Sequence, residues 1–573
     1  MKKQYNIAML TPAFNHIAPK ATVRYKTPPV LYGNVVHLYL DSYFKTNYKE
    51  YADRFKWHVP MLLTGTEEDL VDYLEEHDID ILGLSLYVWN TDLVLRITKN
   101  IKQLYSKDLL IVAGGPNCTA NVDAEWKQKY PWIDHSVVGQ GEKVWSKILL
   151  DKIGVDKFDQ DTTTNIVRFD KLNKKVDNSF ETEFIRNIHF SPYVESGDLL
   201  KEMINHPTYK DHTVLIPYET SRGCPYKCSF CDWTSGLHHK VQKRKIDHKE
   251  EIDFMINAGV YKFALADANF GMWKEDVELA QHIADYKERG YPVEIFSFNM
   301  SKTKDDNVKT ILDIFAKYNL CNFLKISVQD IHQEVLNASD RPDLPWEVNR
   351  QIVLDILDNH PHVPFVYVEF IVGLPTQTVQ MWIENVEEAY KHGMITSSYQ
   401  FAYLPGAPVG YNPEIQKKYQ METKNVAMAY AGREKRKEEF VNFTIICKTS
   451  TMTTNDMLFC HIYDHLFKIL AQRLETSNRR GAMFPLIKQI VDKIVRTNSF
   501  NDTLANCRQA FEEGVFGFKE ITPTNEKLYC SWYFGVSRLI KHNYHKIVLP
   551  LFKTYTQSNL DEEYHRNIPK QNG

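Results

Sequence analysis

Arg222-Gly223-Cys224-Pro225-Tyr226-Lys227-Cys228-Ser229-Phe230-Cys231 sets three cysteines in a C-x₃-C-x₂-C run, directly after the apolar stretch VLIPYET (214–220), which reads as a β-strand. Nine cysteines scattered at random over 573 residues would produce this triple spacing in roughly two of a thousand such chains, so the run is a built feature. Three thiolates on one short loop can each take one iron of a [4Fe–4S] cluster, leaving the fourth iron open to a small molecule. A zinc site is the alternative reading, with His238 or His239 as the fourth ligand. Three unconnected buried cysteines are the other.

Downstream of the loop, further strand-like runs recur: YKFALAD (261–267), PVEIFSF (292–298), FLKISVQ (323–329), FVYVEFIVG (365–373) and SYQFAYL (398–404). Their spacing of roughly 25 to 45 residues leaves room for one crossover helix each, so the six runs predict a partial (β/α)₆ barrel over 213–412. Upstream, IAMLTP (7–12), IDILGLSLY (79–87) and LLIVAGGPN (109–117) alternate with helical segments. One of these, TEEDLVDYLEEH (66–77), has an acidic first turn and apolar Leu70, Val71 and Leu74. This predicts a doubly wound, Rossmann-like α/β domain over 1–150. Residues 151–212 lose the rhythm and read as a linker, with a hairpin around Asn173. Residues 413–573 read as a mostly α-helical C-terminal domain, in which PLIKQIVDKIVR (485–496) carries Leu486, Ile487, Ile490, Val491, Ile494 and Val495 on one face.

Composition narrows the classes of function. The chain is 43% hydrophobic and 25% charged, ordinary for a globular protein with a large core. Its 69 Lys and Arg against 73 Asp and Glu leave a net charge of −4, without the basic excess of a duplex-DNA binder, so nucleic acid is not expected as a partner. No secretory leader and no long uncharged apolar run is visible, and the odd cysteine count argues for reduced thiols, which together predict a cytoplasmic protein without a membrane span.

The cysteine loop resembles that of the radical S-adenosylmethionine (SAM) superfamily, C-x₃-C-x-aromatic-C, with Phe230 in the aromatic position. The resemblance implies that Cys224, Cys228 and Cys231 hold a [4Fe–4S] cluster whose open iron chelates SAM. Reductive cleavage then gives a 5′-deoxyadenosyl radical that abstracts hydrogen from the substrate. The radical is generated at the cluster, so no catalytic side chain is assigned. In the same resemblance, Asp267 and Asn269 face the methionine moiety, Ser297, Asn299, Ser327 and Gln329 the ribose and carboxylate, and Gly373, in Gly373-Leu374-Pro375, the adenine. Read by themselves, strand-end serines and asparagines such as these are more often turn or cap residues. Asp267 can pair with an ammonium group. Arg341 is a carboxylate partner or a surface charge, and Tyr399, Phe401 and Tyr403 alternate as packing residues of a strand.

The first domain resembles the cobalamin-binding domain that precedes the barrel in one branch of that superfamily, the class B methyltransferase-like branch. The likeness rests on Leu82-Gly83-Leu84-Ser85, Gly114-Gly115-Pro116-Asn117 and Val138-Gly139-Gln140-Gly141-Glu142, followed by Ser191-Pro192-Tyr193 in the linker. It implies cobalamin contacts from Ser85, Gly114, Gly115, Pro116, Gly139, Gly141 and Glu142. The Asp-x-His-x-x-Gly motif that supplies a lower imidazole ligand is replaced by Thr11-Pro12-Ala13-Phe14-Asn15-His16, so cobalamin would be held without it. His16 is a ligand or a solvated loop residue, and Trp89 a cover for the lower face or a core residue.

The resemblance implies cobalamin-dependent methylation of an unactivated carbon or phosphorus centre on a small-molecule, natural-product-like substrate, with electrons from a flavodoxin or ferredoxin-type donor. Two other readings stay open: radical cyclisation, rearrangement or oxidation without methyl transfer, and a non-catalytic cobalamin or iron–sulfur sensor. An RNA methylthiotransferase would carry more cysteines upstream than Cys118 alone and a basic β domain at its end.

Overall fold

A computed structural model of the chain describes residues 3–12, 15–16, 30–63, 66–88, 90–118, 124–155, 166–168, 188–207, 213–233, 241–303, 305–321, 323–429, 440–473, 481–514, 516, 520–521, 527–528 and 532–559. The expected hairpin around Asn173 lies outside these residues, apart from the strand Ile166–Arg168.

The N-terminal domain is doubly wound, and alternation along its first strand, Tyr5–Pro12, shows why. Ala8 and Leu10 enter one apolar layer with Leu70, Leu74 and Val94, whereas Ile7 and Met9 enter the opposite layer with Phe44, Trp145 and Ile148. Parallel strands run in the order Phe55–Trp57, Tyr5–Pro12, Ile81–Ser85, Leu110–Gly114 and His135–Val137. Ile166–Arg168 closes the edge antiparallel. This 2-1-3-4-5 order reverses direction between the first strand and Ile81–Ser85, and a ligand crevice opens at the carboxyl ends there. The acidic helix Glu67–His77 forms as expected: Thr66 Oγ1 accepts from Asp69 N at 3.1 Å, and Leu70 and Leu74 are buried.

The six barrel strands are present and parallel within two ladders of three. Thr213–Tyr218, Lys262–Leu265 and Glu294–Ser297 form one, and Leu324–Gln329, Val366–Val372 and Met394–Gln400 the other. Between the ladders, Ile295 N donates to Leu320 O at 2.7 Å. The first ladder is extended by Val30–Tyr32, which pairs parallel with Thr213–Tyr218, so the N-terminal 150 residues contribute a strand to the barrel sheet. In Leu324–Gln329 the apolar Leu324, Ile326 and Val328 are buried, while Lys325, Ser327 and Gln329 alternate with them and are part-exposed. The last strand lies four residues upstream of the expected SYQFAYL, because the Thr and Ser of Met394–Gln400 mask its strand character. Phe401 and Tyr403 continue from it as extended chain, their N–H groups donating to Val372 O and Thr444 O.

The C-terminal region is mostly helical, as expected, with two features the sequence does not announce. It opens with an antiparallel hairpin, Glu422–Ala429 with Phe440–Lys448, whose first strand, ETKNVAMA, is polar over its first half and shows no strand-like alternation to announce it. The helix Thr454–Arg473 then packs into the barrel's own core: Met457, Cys460 and Phe467 share one apolar cluster with Phe370 and Trp382. Trp382 Nε1 donates to Cys460 O at 3.1 Å, and Asp464 accepts from Thr396 and Ser398 on the last barrel strand. The expected amphipathic helix is Phe484–Ile494, burying Leu486, Ile487, Ile490, Val491 and Ile494. Among the described residues no helix is long and apolar enough to cross a membrane.

Candidate active site

The cysteine loop leaves the first barrel strand through Thr220 and a two-residue strand, Ser221–Arg222, then turns at Gly223, whose φ of 92° is left-handed. Cys231 N donates to Cys228 O at 3.1 Å, closing the turn. Ser229 anchors the loop from both sides, its N–H donating to Ser339 O and its carbonyl accepting from Val409 N, each at 2.9 Å. Cys224 and Cys228 are buried and Cys231 is half-buried. Asn269 Nδ2 lies 3.2 Å from Cys224 Sγ, and Asn269 Oδ1 accepts from Lys302 Nζ at 2.7 Å.

Two cations, Arg341 and Lys302, flank the thiols. Burial pushes the Cys228 thiol up, opposed by the positive charges of Arg341 and Lys302, and burial pushes Cys231 up to about 11. Lys302 is itself held below the usual ammonium range by desolvation and by Arg341, while all three cysteines favour its charge. Arg341 is a buried residue rather than a surface charge: its Nε donates to Asp343 at 2.8 Å and its Nη2 to Ser327 O. Lys302, three residues past Asn299 in the stretch SKTK, belongs to no motif that sequence reasoning could use.

The arrangement suits an iron–sulfur cluster. A cubane gives each thiolate its own iron, and the loop offers three buried or half-buried cysteines in one short turn flanked by two cations. The histidines of the zinc reading, His238 and His239, lie outside the described residues. Buried polar atoms also surround the loop without a protein partner: Ser229 Oγ, Ser301 Oγ, Gln329 Oε1 and Ser339 Oγ. Such atoms are costly unless a polar ligand reaches them.

The strand-end residues divide. Gln329 is held at φ 71°, uncommon for a residue with a Cβ, at the carboxyl end of its strand. Asn299 stands beside Asp267, its Nδ2 3.5 Å from Asp267 O, and Ser297 is half-buried at the end of its strand. Ser327 Oγ donates to Glu369, which also accepts from Lys325 at 2.9 Å. Phe230 packs against an apolar cluster that includes Leu374 and Phe401, with the Arg341 guanidinium 6.0 Å from its ring. Asp267, expected at an ammonium group, is fully buried and faces the loop instead: Thr220 N, Thr220 Oγ1, Ser221 N and Ser221 Oγ all donate to it, between 2.7 and 3.1 Å. At Gly373 the close approach is to Met457, whose Cε lies 2.7 Å from where a Cβ would stand.

In the N-terminal domain Ser85, Gly114, Gly115, Pro116, Gly139 and Gly141 come together along the carboxyl edge of adjacent strands. Gly115 has φ 106° and a Cβ there would meet Leu86 O at 2.5 Å, so its glycine serves turn-to-turn packing. Gly83 likewise makes room for Met9, whose Sδ would overlap any Cβ at that position. Glu142, expected at cobalamin, is buried and accepts from Arg222 Nη1 at 2.6 Å, two residues ahead of Cys224. The side chains of Trp89 and His16 lie outside the described residues.

Residues 218–410 match the Radical SAM superfamily, and residues 49–149 match the B12 binding domain. The chain carries a radical SAM domain and a B12-binding domain. This radical SAM chain is 27% identical over 407 residues to the cobalamin-dependent radical SAM methyltransferase TokK of Streptomyces tokunonensis, covering 70% of its own length and 58% of that protein. It is equally 27% identical over 405 residues to the 2-(S-pantetheinyl)-carbapenam-3-carboxylate methyltransferase of Streptantibioticus cattleyicolor, covering 68% and 57%. It thus spans under two thirds of these relatives. In fold it is similar to the apo structure of the cobalamin-dependent SAM radical enzyme OxsB, with a TM-score of 0.55 and 14% identity over 97% of this chain and 83% of that one. A radical SAM enzyme with a B12-binding domain takes SAM, a [4Fe–4S] cluster and cobalamin.

Proposed function

We propose that the chain is a cobalamin-dependent radical methyltransferase acting on an unactivated carbon or phosphorus centre of a small, natural-product-like molecule. The observation that carries this reading is the contact between the two cofactor regions: the glycine turn ending in Glu142 reaches Arg222, which leads directly into Cys224. A methyl carrier at the carboxyl edge of the first domain would then face the radical source across one shared cavity. When bound, the cluster supplies the electron that splits SAM and cobalamin carries the methyl group.

The residues would act as follows. Cys224, Cys228 and Cys231 hold the cluster, and Asn269 fixes the Cys224 sulfur. Lys302 and Arg341 set positive charge beside the thiolates and the amino-acid end of SAM. Gln329 Oε1 offers an acceptor at the strand end, with Ser327, Asn299 and Ser297 beside it, and Phe230 shields the cluster from the side of Leu374. Ser85 and the turns at Gly114-Gly115-Pro116 and Gly139 to Gly141 line the cobalamin edge. Asp267 acts one step removed, by holding Thr220 and Ser221. A flavodoxin or ferredoxin-type protein would deliver the electrons. The name of the carbapenam-carboxylate methyltransferase supports a small metabolite over a macromolecule as substrate.

Anaerobic incubation of the reconstituted chain with SAM, cobalamin, reductant and candidate small molecules tests the reading. Both 5′-deoxyadenosine and S-adenosylhomocysteine should form. The first without the second would replace methyl transfer by another radical reaction, and neither would leave a sensor.

A further inference from the structure

The contact between the two cofactor regions is more elaborate than domain packing requires. Arg222 sits in a fork, its Nη1 donating to Glu142 Oε1 at 2.6 Å and its Nη2 and Nε to Glu219 Oε1 at 2.6 and 3.0 Å. Its guanidinium also lies 5.1 Å from the ring of Tyr39, on the N-terminal helix Val36–Asn47. Glu142 is the first residue of helix Glu142–Lys152 and the last of the glycine turn 138–142. A second contact runs alongside, from Gln140 Nε2 of the same turn to Gln242 Oε1. Gln242 is the antiparallel partner of Arg222 in the short ladder Ser221–Arg222 with Gln242–Lys243. Two residues of one turn therefore grip both strands of the ribbon from which the cysteine loop springs.

The charges sit where water screens them little, with Glu142 and Arg222 side chains 5% and 16% exposed. A planar guanidinium held by two carboxylates transmits displacement, because its donors have fixed directions and neither carboxylate can be surrendered to solvent without cost. Arg222 is separated from Cys224 only by Gly223, and Glu142 adjoins Gly141. A shift at the turn thus reaches the first cysteine through one side-chain contact.

We propose that Arg222 is a positioning residue that couples the two cofactor sites: through Glu142, cobalamin held at the turn 138–142 orders the cysteine loop, and the assembled cluster in turn tightens cobalamin binding. The inference rests on the assignment of cobalamin to the first domain. Coupling of this kind is reciprocal, so either direction can be measured.

The test uses the full chain under anaerobic conditions. Hydroxocobalamin affinity is titrated with and without the reconstituted cluster, and amide exchange of residues 219–231 is followed in cluster-free protein with and without hydroxocobalamin. The wild-type chain should bind cobalamin at least about fivefold more tightly with the cluster present, and cobalamin should slow exchange in the loop. Glu142→Gln keeps the shape but removes the charge and should bring the affinity ratio close to one, with Glu142→Asp between. Gln140→Leu, which leaves the ion pair intact, should lower the ratio less and provides a second variant should Glu142→Gln melt early. A wild-type ratio of one, or an unchanged ratio and unchanged loop exchange in Glu142→Gln, would overturn the coupling while leaving the cofactor assignment intact. A chain that takes no cobalamin in any state would overturn both.

Discussion

Replacing Asp267 should release the cysteine loop without touching a cysteine. Its carboxyl is the acceptor for two buried backbone N–H groups, Thr220 N at 3.0 Å and Ser221 N at 2.7 Å, and for both neighbouring hydroxyls. Asp267→Ala leaves the two N–H groups unpaired, at roughly 1–3 kcal/mol each, or about 2–6 kcal/mol of local opening between the first barrel strand and Cys224. Even the low end lowers the population of the closed loop about thirtyfold against its open form. Burial, helped by the nearby Asp276, lifts the Asp267 carboxyl to about 7. The Thr220 hydroxyl, with one hydrogen, stands 2.8 Å from Asp267 and 3.0 Å from Asp276. The fold thus favours neutral Asp267, since a carboxyl whose value is raised on folding stabilises most at low pH and loses that contribution as pH rises through about 7. Asp267→Asn imitates the neutral form and should be mild, with a flatter dependence on pH. The assay is iron and sulfide bound per chain after anaerobic reconstitution at pH 6 and pH 8, beside thermal melting of the whole protein. Asp267→Ala should lose iron while most of the fold persists, and the wild type should hold its loop better at pH 6 than at pH 8. Full iron loading in Asp267→Ala at both values would refute the argument.

Three further substitutions probe separate parts of the site. Lys302→Met removes a desolvated cation beside all three thiols, so the reduced, more negative cluster is disfavoured and its midpoint potential should move negative in an EPR-monitored titration. Gly373→Ala places a side chain at φ 88° and against Met457, which should cost about 1–2 kcal/mol for the backbone alone and appear as a lower melting temperature with iron content kept. Cys228→Ala should abolish the iron–sulfur absorption and 5′-deoxyadenosine formation together; retention of either in metal-analysed protein would contradict the ligand assignment.

The parts of the molecule legible in the sequence were those where a local pattern carries the whole cause. Alternation in Tyr5–Pro12 and Leu324–Gln329 fixes which side chains enter the core, and the two sheets follow from it. The triple cysteine spacing needs no tertiary partner to be recognised. The hairpin Glu422–Ala429 with Phe440–Lys448 was hidden because its first strand is polar along much of its length, and its pairing, not its composition, holds it. Val30–Tyr32 was hidden for a related reason: three residues show no period, and what holds them is pairing, to the open edge of the first barrel strand on one side and to Asn15–His16 on the other.

The site residues were harder to read, for one cause. A polar residue at a strand end can serve a ligand or the chain itself, and the sequence displays its type but not its partner. Asp267 and Glu142 are carboxylates read as ligand contacts, and each meets donors from the chain: backbone and hydroxyl groups of Thr220 and Ser221 for one, the Arg222 guanidinium for the other. Gly373 and Gly83 lack side chains for the sake of Met457 and Met9. Conversely Lys302 and Arg341, far apart in sequence, become a pair of desolvated cations only when the third and fourth barrel strands set them beside the same sulfurs. A charge withdrawn from water without an equal internal counter-charge is expensive; Arg341 pairs with the Asp343 carboxylate and donates to Ser327 O, while Lys302 donates to neutral acceptors, Asn269 Oδ1 and Ala268 O. The fold keeps these cations where three thiolates would supply the missing negative charge once a cluster is bound, which would tie the stability of this corner of the barrel to the loading of the loop. Lys302→Met should therefore raise the melting temperature of the cluster-free chain relative to wild type and fail to do so once the cluster is assembled; an equal shift in both states would show that the charge is balanced elsewhere.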